Sequence, residues 1–112
     1  MTVEIWTYRE TIGDVDLTDF EVEATDGEVG KVDDATYENG SGEIIVDTGP
    51  WILGKKVMLP AGTIERIDFD EQKIYVDRTK EEIKEAPEYD ASGYADQEYR
   101  LRLGGYYADL YS

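Results

Sequence analysis

FEVEATDGEVGKVDDATYE, residues 20–38, decides how the chain folds. Phe20, Val22 and Ala24 alternate with Glu21, Glu23 and Thr25, the period-two pattern of a half-buried strand. Asp26-Gly27 follows as a tight turn. EVGKVDDATYE then forms a second strand, with Val29, Val32 and Tyr37 as inward candidates. Gly30 interrupts that alternation and predicts a bulge, a barrel corner or a close backbone approach.

Four more short strands lie downstream. NGSG (39–42) turns the chain into EIIVDT, a β-branched third strand. KKVMLP is a fourth, closed by Pro60. GTIERID is a fifth, with Ile64 and Ile67 as core candidates. FDEQ turns into KIYVDR, the sixth. Short strands at close, regular spacing predict a small all-β barrel or sandwich, and closure would hide the sheet edges.

The pattern changes after Arg78. Thr79 and Glu82 form a capping box, so a short helix is expected from Lys80 to Ala86, stopped by Pro87. Ala95, Tyr99 and Leu103 in the tyrosine-rich tail share one helix face, and Gly104-Gly105 is expected to break that helix. Tyr106 with Leu110, and Tyr107 with Tyr111, repeat the spacing beyond the break. So many aromatics predict a tail that docks, either on its own barrel or on a partner. Trp6 and Tyr8 alternate on an expected N-terminal strand. The organisation read from these signals is an N-terminal strand or extension (1–16), a barrel (17–90) and a partly helical tail (91–112).

The chain has 112 residues, with 27 Asp and Glu against 11 Lys and Arg, for a formal net charge of -16. That surface repels phosphate backbones and predicts no nucleic-acid binding. It favours basic partners, and a high-salt habitat would give the same bias. Absence of cysteine and histidine removes disulfides, thiolate chemistry and imidazole acid–base catalysis. The N-terminus is not patterned as a signal peptide, and no apolar run approaches the ~20 residues of a membrane span. A cytoplasmic location without membrane insertion is the expectation.

DTGPWILGKK, from Asp47, nearly matches a phosphate-binding loop. Lys56 occupies the place of the magnesium-binding hydroxyl, Pro50 lacks an amide hydrogen, and a strand rather than a helix follows. The segment reads as a connection between strands. Asp14, Asp16 and Thr18 alternate like calcium ligands, but Asp19 and Thr25 stand where an EF-hand needs glycine and glutamate. An acidic turn is expected. Carboxylates are too numerous for adjacency to mark a pair, and Ser41 and Ser92 have no histidine to activate them. Neither catalytic residues nor a cofactor or metal site is expected.

DGEVGKVDDATYE resembles the opening motif of PRC-barrel domains. GKKVMLPAGTIERIDFDEQKIYVDRTKEEIKEAPEYD is similar to the remainder of that domain, with its strand ending Leu-Pro-Ala and its strand ending Asp-Arg-Thr. The likeness covers roughly Leu17 to Asp90, and VDTGPWILGKK is similar to the stand-alone bacterial branch. The resemblance implies a β-barrel of about six strands. In the reaction-centre H subunit and the ribosome maturation factor such barrels bind protein and do not catalyse. The membrane helix of the first and the extra N-terminal domain of the second are not expected here, so neither specific function carries over. The expectation is therefore a non-catalytic interaction module that binds another protein or itself, the latter as a homodimer. Candidate contact residues are Trp51, Ile52, Leu53, Tyr99, Tyr106 and Tyr107. The alternative is a regulatory or stress-response protein that binds a small molecule or a metal.

Overall fold

A computed structural model describes residues 4–52, 55–89 and 97–111. Six strands form one mixed sheet: β1 (Glu21–Ala24), β2 (Gly27–Thr36), β3 (Glu43–Asp47), β4 (Lys56–Pro60), β5 (Ile64–Asp68) and β6 (Lys73–Val76). Two helices follow, α1 (Lys80–Glu85) and α2 (Gln97–Asp109). The strand order is β4-β3-β2-β1-β6-β5, with β1 and β6 parallel and every other pair antiparallel.

The expected closed barrel is corrected: the sheet is open, and no ladder joins β4 to β5 among the described residues. It nevertheless curls. β4 and β5 occupy opposite ends of the order but are joined by one buried 3-10 turn, Ala61–Thr63. Four Cα steps reach at most ~14 Å. Six flat strands at ~4.8 Å spacing put the outer two ~24 Å apart. The connection therefore requires the two ends of the sheet to approach at that corner. Closure beyond the corner is blocked locally, because Pro60 has no amide hydrogen to donate to another ladder.

Gly30 explains the irregularity of β2. The β1–β2 register slips between Val22 and Glu23, placing a bulge opposite. A Cβ on Gly30 would lie 1.9 Å from the Asp47 carbonyl oxygen. The bulge and the close approach are both present. Val29 and Val32 are buried as expected, whereas Tyr37 is exposed and accepts a hydrogen bond from the Leu17 amide at its hydroxyl. The core joins Val22, Val32, Ile44, Val46, Leu59 and Ile74 of the sheet to Ile83, Leu103 and Tyr107 of the helices. Each such side chain contributes about 1.5–3 kcal/mol of apolar burial.

Two further expectations are corrected. Trp6 and Tyr8 do not lie on a strand; described residues 4–16 form turns and bends. This segment is pinned where Gly42 N–H donates to the Trp6 carbonyl and Gly62 N–H to the Ile5 carbonyl, each at 2.7 Å. Nor do Gly104 and Gly105 break the tail helix, because α2 runs through both. Helical glycine costs about 1 kcal/mol relative to alanine. Burial of Leu103 and Tyr107 on the adjoining turns exceeds that cost, and Gly104 has a use of its own. A Cβ there would lie 2.7 Å from the Trp6 indole nitrogen, so only glycine lets helix and indole approach so closely.

Candidate functional site

The β3–β4 connection is built from its first residue outward. Thr48 is buried, and its hydroxyl lies 2.8 Å from the carbonyls of both Ile52 and Lys55. The Asp47 carboxylate accepts the Gly49 amide at 2.9 Å, and Trp51 N–H donates to the Thr48 carbonyl. Gly49 sits at φ 56°, a turn conformation suited to glycine. The chain then enters strand β4, with no helix start to cradle a phosphate. Trp51 is thereby held at the rim of the sheet, half-buried against the core.

A second element completes the environment of Trp51. Thr79 caps α1, accepting the Glu82 amide at 3.1 Å while the Glu82 side chain accepts the Thr79 amide at 2.8 Å. The Asp26 carboxylate in the β1–β2 turn accepts the Lys80 amide at 2.9 Å. These contacts hold Lys80 with its ammonium 4.6 Å from the centre of the Trp51 ring, a cation–π pair. The result is an open groove of about 700 Å³. Gly30 and Val32 contribute to its lining from β2, and Trp51 forms one wall. Asp19, Glu28, Asp33 and Asp47 line it against two cations, Lys31 and Lys80. Asp33 is also paired with Lys56 at 2.8 Å.

The other sequence candidates lie elsewhere. Ile52 faces a smaller cavity, and Leu53 falls outside the described residues. The tail tyrosines pack on the chain's own body. Tyr99 donates its hydroxyl to the Pro87 carbonyl at 3.3 Å and meets Tyr89 edge-on. Tyr106 donates to the Glu82 carbonyl at 2.6 Å. Tyr107 is fully buried and leaves no surface for a partner in this conformation. Of the five described candidates, only Trp51 lines the groove.

Two buried polar groups went unanticipated. The Glu43 side chain accepts a charge-assisted hydrogen bond from Arg100 of α2, while its second oxygen, Oε2, is buried without a partner. Arg100 lies 4.2 Å above the Trp6 ring. Burial pushes the Glu43 carboxyl above its ordinary pKa, Arg100 opposes that rise, and Asp34 adds to it. The Tyr107 hydroxyl is also buried without a partner, and burial pushes its pKa well above the ordinary tyrosine value. An unpaired buried polar group costs about 1–3 kcal/mol. Within Asp14–Thr18 the acids are exposed while Leu17 is buried in the core, and Asp16 accepts both the amide and the hydroxyl of Thr18. Those bonds hold the Asp16 carboxyl below its ordinary pKa.

No signal in the sequence marked Lys80 or Glu43. Lys80 is one charged residue in a capped helix, and Glu43 one of many acids on the strands. Their roles depend on contacts across 29 and 57 residues, respectively. No protein-family model matches this sequence, and no curated protein matches it.

Proposed function

We propose that the chain is a non-catalytic binding module of the PRC-barrel kind, which docks a positively charged segment of another protein in the Trp51 groove. The observation that carries this reading is Trp51 itself, an aromatic wall on an open groove with an acidic lining. Interface hot spots favour such a residue, with apolar contact at the centre and charge at the rim. The curled six-stranded sheet and short capped helix support the barrel assignment. Absence of histidine and cysteine supports a non-catalytic role.

The choice of occupant rests on charge. A second copy would bring another net charge of -16 to the same face, whereas a Lys- or Arg-rich segment is drawn in and steered. The test is a fluorescence-anisotropy titration of the chain into labelled peptides that carry Lys, Arg and one apolar anchor. Saturable binding is expected, lost in Trp51→Ala and weakened by salt over the ~10 Å screening range. Binding unaffected by loss of Trp51 would overturn the groove assignment. A dimer in sedimentation that dissociates in Trp51→Ala would favour self-association instead.

A further inference from the structure

On the far side of the β3–β4 connection from Trp51, a cavity of about 270 Å³ lies between β4 and the helices. Its wall is apolar: Val57 and Met58 of β4, Ile83 of α1, then Ala86 and Pro87. Tyr107 of α2 also lines it, with its hydroxyl buried out of reach of the cavity. Lys55, Lys56 and Lys84 complete the lining, with Glu88 the one acid.

The charge at this mouth runs against the rest of the molecule. Three of 11 cations and one of 27 acids meet here, a local excess of two positive charges on a chain of net charge -16. Lys55 pairs with Glu88, and Lys56 with Asp33 at 2.8 Å. Lys84 makes no ion pair with a described residue. Both exposed pairs are weak and easily exchanged for another anion. The volume is near the lower end of the ~300–1,000 Å³ typical of small-molecule sites, and an apolar wall with a few polar groups is their usual composition.

We propose that this cavity binds a small amphipathic carboxylate. Its apolar body lies against Met58, Val57 and Ile83. Its carboxylate is held by the lysines, Lys84 first because it gives up no existing pair. This site is separate from the Trp51 groove and does not depend on how that groove is used.

The probe is benzoate, with benzamide as the uncharged control, titrated calorimetrically into the full chain. Saturable millimolar or tighter binding of benzoate is expected, and the amide is expected to bind at least about fivefold more weakly. Lys84→Ala, on the surface, is expected to weaken benzoate and spare the amide. Absence of saturable binding to the unmodified chain would overturn the proposal. So would binding that Lys84→Ala leaves intact, or benzamide bound as tightly as benzoate.

Discussion

Replacing Arg100 with alanine tests how the tail helix is held. Arg100 is the cationic partner of Glu43, whose side chain is 8% exposed, and it lies over the Trp6 ring. Removing one member of a buried ion pair costs about 3–5 kcal/mol, because the remaining charge stays buried. Arg100 keeps 22% of its side-chain surface in water, which lowers the expected loss to about 2–3 kcal/mol. For a domain of this size that corresponds to a melting temperature lower by roughly 8–12 °C. The loss also depends on pH. The folded Glu43 pKa is raised above its ordinary 4.5, so its favourable contribution is complete below that value and is lost as pH rises through the folded pKa. Without Arg100 the two interactions that lower this pKa vanish, while burial and Asp34 remain to raise it. The variant's deficit against the unmodified chain should therefore shrink on acidification towards the ordinary glutamate range and grow towards neutrality. Urea denaturation of both proteins across that range measures it. Arg100→Ala/Glu43→Gln should recover part of the stability at neutral pH and lose this pH dependence. A deficit independent of pH, or a double variant no better than the single one, would refute the buried-pair argument.

The two helical glycines should part company. Gly105→Ala meets nothing within 4 Å and should stabilise by about 0.5–1 kcal/mol through helix propensity. Gly104→Ala places its Cβ 2.7 Å from the Trp6 indole nitrogen and should destabilise by about 1–3 kcal/mol, with a shifted Trp6 emission in a Trp51→Phe background. Thr79→Ala removes half of the capping box and should cost about 1 kcal/mol by thermal melting. If Thr79 also holds Lys80 over Trp51 through α1, this substitution should change Trp51 emission in a Trp6→Phe background.

The strands were legible because each carries its own evidence. Alternation in FEVEAT, β-branching in EIIVDT and the turn at Asp26-Gly27 are local properties, and the capping box at Thr79 is equally local. The course of the tail was not. Gly104-Gly105 reads as a break by propensity, yet the helix continues because Leu103 and Tyr107 bury themselves on the sheet and Gly104 accommodates an indole 98 residues away in sequence. The same holds for the N-terminal segment. Trp6 and Tyr8 have the spacing of a strand, but the Trp6 carbonyl accepts from Gly42 and its neighbour Ile5 from Gly62 of the 3-10 corner, outside any ladder. The parallel pairing of β1 with β6, which orders the sheet, has no signature in either strand alone.

The β3–β4 connection and α1 link the two recognition features in a way that charge alone does not reveal. Consecutive residues Trp51 and Ile52 line different hollows, the acidic groove and the lysine-edged cavity. Lys80 and Lys84, one helical turn apart, both lie beside Trp51, and Lys84 reaches the cavity as well. Thr48 fixes the connection by sharing its one hydroxyl hydrogen between the Ile52 and Lys55 carbonyls, so both hollows depend on one hydroxyl. Thr48→Val keeps the shape of that side chain and removes the shared bond. It should therefore disturb peptide binding at Trp51 and carboxylate binding at the cavity together, whereas Trp51→Ala should act mainly on the first and Lys84→Ala mainly on the second. If Thr48→Val left either site untouched, that site would owe its geometry to α1 alone.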